Sequence, residues 1–479
     1  YIDGSIYMKV KNKLDGGQEM KHLVVDLFSG AGGMSEGILQ AGFHIVFSSD
    51  KSSEVEKTYT NRHEQLGYIQ GVNTHFERMD ICDLTGEFIL NSVKNLKCFK
   101  DKDILNKDNV IDVIFGGPPC QGFSRSGKRD PNDPRNFLFR EYIRIISELK
   151  PKYVVMENVE GMLDMQIYIK GISGEEYENC KVPDILKKEF DILGYNTLDI
   201  KLLDASDYGV PQSRKRAIFM AGLKGLPMPK YPEPTHVQNK VTLLEAIGDL
   251  IQDKNLRRKM NNQLTEYQKK SKEGRTPNIL GMTLSVNDKI NHEFSNHTKV
   301  VQERFSIYRP GEDANAVRRR IKQEGIDISK YENLKKYILD EIKKVFQSGN
   351  IIDNEDLIKG YNNPNYIVET LKSPDCSDIL IDFLLTKKNS RTKLDSQKPS
   401  LTVLTIPDDY ISPFENRVLS VREMARLQSF DDSFEFLGKR TTGGERRKLE
   451  VPQYTQVGNA VPPLLARAVA MEIKRVLDN

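Results

Sequence analysis

A regular alternation of short apolar strands and helices in the first half of the chain restricts the folds that this sequence can adopt. Residues 21–27 are predicted to form a strand, which a glycine-rich turn connects to a helix over residues 34–41. Strand-like runs at 110–115 and 153–156 flank a helical pattern at 138–149. Further elements of the same kind are a strand at 44–48, a helix at 51–62 and a strand at 216–221. This order predicts an α/β fold with a mostly parallel, doubly wound sheet, which binds ligands beyond the carboxyl ends of its strands.

The second half of the chain differs in composition from the first. Four prolines between residues 227 and 234 indicate a linker. Residues 237–400 then hold 29 Lys and Arg but 23 Asp and Glu, a local excess of six positive charges in a chain whose net charge is +3. Such a segment can contact a nucleic-acid backbone, or its charges can belong to solvated helix faces. Helices are predicted at 331–346, at the centre of 417–430 and at 464–477.

Cysteine spacing and the lack of long apolar stretches bear on the location of the protein. The five cysteines are widely spaced and include no Cys-x-x-Cys pair, which argues against a disulfide framework and against a zinc site. No apolar stretch approaches the roughly 18 residues of a membrane helix, and the polar N-terminus does not resemble a secretory signal. These features favour a cytoplasmic protein without a metal. Residues 1–19 precede Met20 and are interpreted as a short N-terminal extension or an expression remnant.

A cysteine-containing motif follows the predicted strand at 110–115. Residues 116–124 read Gly-Gly-Pro-Pro-Cys-Gln-Gly-Phe-Ser, and a polar loop with glycine, prolines and charges occupies 125–135. A lone cysteine is usually a buried structural thiol. Here, Cys120 stands between a Pro-Pro pair and a flexible loop, which favours a positioned nucleophile beneath a mobile lid.

The glycine-rich turn after the first strand is a candidate ligand site. Residues 26–33 read Asp-Leu-Phe-Ser-Gly-Ala-Gly-Gly. Glycines let the backbone approach a ligand closely, and the start of the following helix offers free N–H groups. Taken alone, the run can equally be a tight turn. Asp50, at the end of the second strand, can accept hydrogen bonds from ribose hydroxyls or can cap the next helix.

Three more short motifs are weak evidence when each is considered separately. Residues 157–159 read Glu-Asn-Val, residues 212–216 read Gln-Ser-Arg-Lys-Arg, and residues 456–463 read Gln-Val-Gly-Asn-Ala-Val-Pro-Pro. The first places a carboxyl at a strand end, and the second is a basic strand edge. Their common order along one chain, together with the motifs above and the segment 417–430, is far more specific.

Taken together, these motifs resemble the DNA (cytosine-5-)-methyltransferases of the bacterial restriction–modification type. The resemblance covers roughly residues 21–234 and 400–477. It implies a Rossmann-like class I S-adenosylmethionine-dependent methyltransferase sheet with a smaller target-recognition domain. The implied domains are a catalytic, cofactor-binding domain at 20–235, a recognition domain with its associated helix at 236–450, and a segment at 451–479 that returns to the catalytic domain.

The resemblance also implies roles for individual residues. Cys120 would add to carbon 6 of cytosine, Glu157 would act at N3, and Arg214 and Arg216 would hold the O2 carbonyl. S-adenosyl-L-methionine, which becomes S-adenosyl-L-homocysteine, would contact Asp26, Phe28, Ser29, Gly30, Ala31, Gly32, Gly33, Asp50, Lys51, Asp80, Ile81, Gly117, Pro119, Asn459 and Val461. DNA would contact Gln121, Ser124, Arg125, Ser126, Lys128, Arg135 and Gln212. Asp50 departs from the family pattern, in which Glu is usual at this position.

The implied function is methylation of carbon 5 of a flipped-out cytosine in a specific double-stranded DNA sequence, through a covalent Cys120–C6 intermediate. The protein is expected to be a cytoplasmic monomer of a bacterial or archaeal cell, or to be encoded by a phage. It would act with a cognate restriction endonuclease or as an orphan enzyme. The tRNA-acting branch of the family stays an alternative, although its motif usually continues Pro-Phe-Thr where this chain has Gly-Phe-Ser at 122–124. A non-catalytic DNA-binding relative is a second alternative, against which the intact Cys120 and Glu157 argue.

Two other enzyme classes fit the motifs poorly. Residues 30–33 lack the third spaced glycine of the Gly-x-Gly-x-x-Gly fingerprint of NAD-dependent oxidoreductases. Amino-group methyltransferases carry Pro-Pro-Tyr or Pro-Pro-Trp, whereas this chain has Pro-Pro-Cys at 118–120. The bases of the DNA target are not readable from the sequence, but a recognition function would reside in about residues 237–400.

Overall fold

A computed structural model describes most of the chain. The described residues are 22–99, 110–119, 137–260, 263–347, 354–374, 376–385, 388–442, 446 and 450–479. The predicted nucleophile, the predicted lid and the N-terminal extension at 1–19 lie outside this part. The same holds for the individual residues Cys120, Gln121, Ser124, Arg125, Ser126, Lys128 and Arg135.

A mixed eight-stranded sheet forms the centre of the described structure. The strands in the first half of the chain are β1 (Leu23–Leu27), β2 (His44–Asp50), β3 (His75–Arg78), β4 (Val113–Gly116), β5 (Tyr153–Asn158), β6 (Gln166–Lys170), β7 (Glu176–Lys181), β8 (Tyr195–Thr197), β9 (Lys201–Asp204) and β10 (Lys215–Leu223). Five of them run parallel in the order β3–β2–β1–β4–β5, and β10 continues the sheet antiparallel to β5, with β8 and β9 beside it. Strands β6 and β7 form a separate hairpin. The prediction of a mostly parallel, doubly wound α/β sheet is confirmed.

Helices cover both faces of this sheet. They are α1 (Gly33–Gln40), α2 (Ser53–Gln65), α3 (Gly86–Lys94), α4 (Leu138–Leu149) and α5 (Val182–Ile192). Apolar residues of α3, α4 and α5 share one hydrophobic cluster with the sheet, and those of α1 share another on the opposite face. The predicted elements of this half are present, with bounds that differ by a few residues.

The second half of the described chain is mainly helical. Its elements are α6 (Leu243–Ile247), α7 (Lys254–Met260), α8 (Glu266–Glu273), α9 (Lys299–Ile307), α10 (Ala314–Glu324), α11 (Glu332–Gln347), α12 (Glu355–Asn362), α13 (Pro364–Lys372), α14 (Asp378–Leu384), β11 (Thr392–Lys393), β12 (Tyr410–Ile411), α15 (Val421–Leu427), α16 (Gln453–Asn459) and α17 (Pro463–Leu477). Helices α9 to α14 pack around a hydrophobic cluster of their own. A further cluster joins α6, α15 and α16 to Ala31 of the glycine-rich turn. The predicted boundaries at 235/236 and 450/451 stay predictions.

The last helix packs directly on the first. Gly37 of α1 lies so close to α17 that an added methyl group would stand 2.5 Å from the Arg467 nitrogen and 2.6 Å from the Ala466 Cβ. Pro463 starts α17 at a position where a proline needs no hydrogen-bonded N–H. This contact brings the residues before α17 next to the glycine-rich turn before α1.

Replacing Gly37 with alanine should therefore destabilise the protein. We expect Gly37→Ala to lower the free energy of unfolding by about 1–3 kcal/mol, because the new methyl group overpacks a backbone contact that cannot relax as a side chain can. Met471→Ala, on the exposed side of α17, is the control and should change it by less than about 0.5 kcal/mol. Denaturant unfolding curves measure both values, and equal stability of the two variants would contradict the packing argument.

Candidate active site

The ends of several strands meet at one edge of the sheet. Leu27, the last residue of β1, pairs with Gly116 of β4, and Gly116 pairs with Met156 of β5. The antiparallel β10 enters the sheet at the same edge, because its Ile218 lies opposite Glu157. The chain order reverses between β1 and β4, which is where doubly wound sheets leave a crevice for ligands. Motifs that are distant in sequence thus come together around this crevice.

Glu157 and Arg216 form an ion pair at this edge. The Arg216 Nε lies 2.6 Å from the Glu157 Oε1, and each side chain is 12% exposed. Arg216 also donates to the Lys215 carbonyl at 2.7 Å. Gly117 lies against the other carboxylate oxygen, which would be 3.3 Å from a Cβ at that position. The pair is therefore largely but not completely buried from solvent, and it adjoins the first residues of the Gly-Gly-Pro-Pro-Cys motif.

Asn158 fastens the Pro-Pro pair to β5. Its buried side chain donates through Nδ2 to the Pro118 carbonyl at 3.3 Å and accepts from the Val159 nitrogen at 2.8 Å. Pro119 is the last residue described before Cys120 and is half-buried. Asn158 was not predicted to have a role, although its place beside Glu157 in the Glu-Asn-Val motif was available as a signal.

Arg214 does not share the environment of Arg216, contrary to the expectation that both hold the same ligand group. It precedes β10 and is buried, and it donates to the carbonyls of Val403 at 3.1 Å and Gly458 at 2.9 Å. Burial and, secondarily, the charge of Arg216 lower the pKa of the Arg214 guanidinium below its ordinary value. Its Nε is buried without a hydrogen-bond partner among the described residues. The side chain thus holds two C-terminal segments against the strand edge.

Gln212 is placed differently from its predicted contact with DNA. Its side chain is fully buried and donates to the Leu427 carbonyl at 3.1 Å and to Gln428 Oε1 at 2.9 Å. Its Oε1 accepts from the Val403 nitrogen at 2.7 Å. The amide oxygen and nitrogen are thus engaged inside the protein, and the contact of Gln212 with DNA stays a prediction. Alternation along an extended segment could not distinguish this inward position from an outward one.

The glycine-rich turn has an open face and a packed face. Phe28, Gly30 and Gly32 all have positive φ, at 56°, 53° and 100°. No heavy atom lies within 4 Å of a Cβ built on Gly30, which indicates open space there. Gly33 instead packs on the backbone of Val461, whose nitrogen would be 3.2 Å from such a Cβ. A side chain would be strained at Gly30 and Gly32 because of their positive φ, and at Gly33 it would clash with the backbone of Val461.

The C-terminal motif completes the packed face of this turn. Ala460 and Val461 lie against Gly33, and the preceding Asn459 is exposed. The two predicted cofactor residues Asn459 and Val461 therefore adjoin the turn, although they follow it by more than 400 residues in the sequence.

Asp50 lies against the same turn from the end of β2. Its carboxylate accepts from the Gly30 nitrogen at 3.1 Å and from the Ser52 nitrogen at 2.9 Å. Burial raises the pKa of Asp50 above its ordinary value. The N-cap of α2 is Ser52 and not Asp50, so the capping alternative for Asp50 is wrong, whereas its contact with ribose hydroxyls stays a prediction.

The other predicted cofactor residues follow β2 and β3. Lys51 and Asp80 form an exposed pair with a Nζ–Oδ2 distance of 3.8 Å, and Asp80 also accepts from the Cys82 nitrogen at 3.1 Å. Ile81 is buried in the hydrophobic cluster on the α4 side of the sheet. Its carbonyl accepts from Arg144 at 2.9 Å.

A buried polar network lies beneath the turn. Asp26, near the end of β1, accepts from Ser35 of α1, and the same Ser35 oxygen lies 3.2 Å from the Tyr59 hydroxyl. That hydroxyl shares a hydrogen bond of 2.5 Å with Ser48 of β2. The Tyr59 ring also packs 3.3 Å from a Cβ built on Gly32. Sequence reasoning missed Ser35, Ser48 and Tyr59, because nothing in their local patterns marks them.

Burial raises the pKa of Asp26 to about 7, although the hydrogen bond from Ser35 acts in the opposite direction. Among the described residues, its second oxygen has no hydrogen-bond partner. Asp26 is therefore a carboxyl that changes its charge near neutral pH directly under the turn.

This raised pKa predicts a loss of stability with rising pH. Folded Asp26 keeps its proton up to about pH 7, whereas an unfolded aspartate loses it near pH 4, so that raising the pH between these values costs up to about 1.4 kcal/mol per pH unit. In denaturant unfolding from pH 5 to 8, Asp26→Asn should gain stability relative to the wild type up to about pH 7 and keep a constant difference above it. Asp83→Asn, at an exposed position, is the control. A pH-independent difference for Asp26→Asn would refute the raised pKa.

Two features are absent from the part of the chain that the structure describes. Within it, no group of three or more His, Cys, Asp or Glu side chains is arranged to hold a metal ion. Within the same residues, no helix is both long and apolar enough to cross a membrane.

Comparison with known proteins identifies the family. The family model "C-5 cytosine-specific DNA methylase" matches residues 23–475. Type II methyltransferase M.DdeI of Desulfomicrobium norvegicum is 30% identical over 471 residues, which cover 95% of this chain and 89% of that protein. Type II methyltransferase M1.HphI of Haemophilus parahaemolyticus is 28% identical over 458 residues, which cover 95% of this chain and 87% of that protein.

A solved structure supports the fold. A prophage-encoded E. coli protein described as a DNA modification methyltransferase superposes with a TM-score of 0.59 at 21% identity, over 96% of this chain and 100% of that one. At this identity the likeness concerns the fold alone. The match of the family model over nearly the whole length shows that this chain belongs to the C-5 cytosine-specific DNA methylases and is an enzyme of the DNA (cytosine-5-)-methyltransferase class.

Proposed function

We propose that this protein methylates carbon 5 of a cytosine within a specific double-stranded DNA sequence, with Cys120 as the covalent nucleophile. The observation that carries the proposal is the Glu157–Arg216 pair, which adjoins Gly117 three residues before Cys120. A carboxyl and a guanidinium beside a thiol are the groups that activation of a pyrimidine ring requires. Across the crevice, the glycine-rich turn offers its open face.

The turn fits an S-adenosylmethionine site. The space at Gly30 would admit the ligand close to the backbone, and Asp50 stands beside it with a carboxylate that ribose hydroxyls can contact. Phe28, Asp80 and Val461 would complete the site from three sides. When bound, this cofactor supplies the methyl group, and S-adenosylhomocysteine is its product.

Cys120, Glu157 and Arg216 have distinct roles in this proposal. Carbon 5 of cytosine is a weak nucleophile, and addition of the Cys120 thiolate to carbon 6 turns it into an enamine-like centre that can be methylated. The Glu157 carboxyl, in its protonated form, donates a hydrogen bond or a proton to N3, which draws electrons from the ring as the thiolate adds. Arg216 keeps the Glu157 carboxyl oriented and places positive charge near the base. A water then takes the carbon-5 proton, the C6–S bond breaks, and Cys120 is released as a thiolate.

Arg214 contributes indirectly to this reaction. Because it binds the Val403 and Gly458 carbonyls, it positions the segments around the strand edge and leaves base contact to Arg216. The loop 125–135 would close over the base, and Ser124, Arg125, Ser126, Lys128 and Arg135 would contact the DNA backbone from it. Gln121 would lie beside the nucleophile.

The substrate and its cellular setting follow from the same reasoning. Atoms of a cytosine inside a duplex are out of reach of groups at a strand edge, so we propose that the base is flipped into the crevice. The mainly helical part between residues 237 and 400 would read the target sequence. Because the similar proteins are Type II methyltransferases, we propose a role in restriction–modification with a cognate endonuclease, or a role as an orphan enzyme. The protein would act in the cytoplasm as a monomer.

Bisulfite sequencing tests the reaction itself. Plasmid DNA from cells that express the wild type should contain protected cytosines in one short recurring sequence, and DNA from cells with Cys120→Ala should contain none. Both proteins must be present at equal levels, as measured by immunoblotting. If cytosines are still protected in DNA from cells with Cys120→Ala, this residue is excluded as the nucleophile. In a separate assay, transfer of labelled methyl groups to tRNA but not to DNA would favour the tRNA-acting alternative.

Steady-state kinetics tests the ion pair. Glu157→Gln should lower kcat by about 10²- to 10⁴-fold, because Gln keeps the shape of the side chain but cannot protonate N3. Binding of S-adenosylhomocysteine should stay within about twofold of the wild type, since the affected step follows binding. Lys215→Gln, at the exposed neighbouring position, serves as the control with near-normal kcat. A Glu157→Gln enzyme with normal kcat would remove Glu157 from the mechanism.

A further inference from the structure

Four buried charged side chains from distant parts of the chain meet beside α1. Glu36 accepts hydrogen bonds from Arg62 of α2 at 2.8 and 2.9 Å. Asp431 lies 3.8 Å from the Arg62 guanidinium and accepts from Arg275 at 3.2 Å. The exposed fraction of these side chains ranges from 0 to 7%. We call these four residues the ionic cluster, in which two cations balance two anions.

Thr276 links the two carboxylates of the ionic cluster. Its hydroxyl donates to Glu36 at 2.6 Å, and its backbone nitrogen donates to Asp431 at 2.9 Å. The Arg275 nitrogen donates to the same Asp431 oxygen at 2.7 Å. Two carboxylates that lie far apart in the sequence, Glu36 and Asp431, therefore bind the short segment 275–276.

Glu36 connects the ionic cluster to the glycine-rich turn. Its backbone nitrogen donates to the carbonyl of Gly32, the N-cap residue of α1, at 2.9 Å, and this bond closes the first turn of the helix. Gly32 has the left-handed φ of 100° that gives the turn its shape. A displacement of Glu36 would thus be passed to Gly32 within one helical turn.

The members of the ionic cluster belong to two different parts of the protein. Glu36 and Arg62 lie in the part that carries the glycine-rich turn, whereas Arg275 and Asp431 lie in the segment 236–450 that we associate with DNA recognition. None of the four takes part in the mechanism proposed above. A buried ion pair adds little net stability compared with a well-packed apolar pair, but its bidentate geometry specifies one arrangement.

We propose that Glu36, Arg62 and Asp431 are positioning residues for the cofactor. Through α1, they fix the conformation of the turn at 28–33. Because Thr276 and Asp431 lie in later segments of the chain, the affinity for the cofactor depends on how these segments pack against α1. The proposal rests on the proposed function, because it takes the turn to be the S-adenosylmethionine site.

Calorimetric binding of S-adenosylhomocysteine to the full-length protein, measured beside the melting temperature, tests this role. Arg62→Met alone leaves a buried carboxylate without its partner and should lower both the affinity and the melting temperature. The double variant Glu36→Leu with Arg62→Met removes one charge of each sign. It should recover most of the melting temperature, yet bind about tenfold more weakly than the wild type, because the directional hydrogen bonds are gone.

A pair of threonine variants gives a matched comparison. Thr276→Val removes the hydroxyl that bonds to Glu36, and Thr74→Val removes a buried hydroxyl that bonds to the Ile45 carbonyl at 2.8 Å. Both should lower the melting temperature similarly, but only Thr276→Val should weaken binding. Full recovery of affinity in the double variant, or equal affinity of the two threonine variants, would overturn the positioning role. A wild type that does not bind S-adenosylhomocysteine would instead overturn the proposed function, and this inference with it.

Discussion

The parallel pairing of β1 with β4, and of β4 with β5, is the interaction on which the rest of this structure depends. It makes Leu27, Gly116 and Met156 register partners in neighbouring strands. The glycine-rich turn, the Pro-Pro-Cys motif and the Glu-Asn-Val motif therefore lie at the same edge of the sheet. A slip by one residue would turn every side chain to the opposite face. The antiparallel β10 then brings Arg216 to Glu157 from the other direction. The candidate site is thus a consequence of strand register.

Buried polar side chains connect this edge to segments from the far end of the chain. Gln212 and Arg214 bind backbone groups near residues 403, 427 and 458, and Asn158 holds the Pro118 carbonyl. A buried donor that loses its partner costs about 1–3 kcal/mol, so each of these contacts favours one docking of the C-terminal segments. The ionic cluster around Glu36 acts in the same way beside α1.

Sequence patterns predicted the sheet better than the helical part. Apolar runs bounded by glycine and proline located β1, β2, β4, β5 and β10, because strands that are buried on both faces are continuous apolar segments. The short β3, the β6–β7 hairpin and strands β8 and β9 lacked such runs. Between residues 237 and 400 only α11 was predicted. It spans 16 residues, whereas the other helices of this segment have five to eleven, and so few turns give an apolar repeat little length in which to stand out.

The sequence by itself determined the class of fold, the order of the motifs and the chemical groups that the site can use, because these follow from residue type and local spacing. It could not decide that Arg216 meets Glu157 while Arg214 turns to Gly458, that Gln212 is buried, or that Glu36 contacts Arg62, with Asp431 beside them. Those outcomes join residues as many as 369 positions apart, as with Arg62 and Asp431. Only the packing of whole helices and strands brings such residues together, since contact over that separation leaves no periodic trace in the chain.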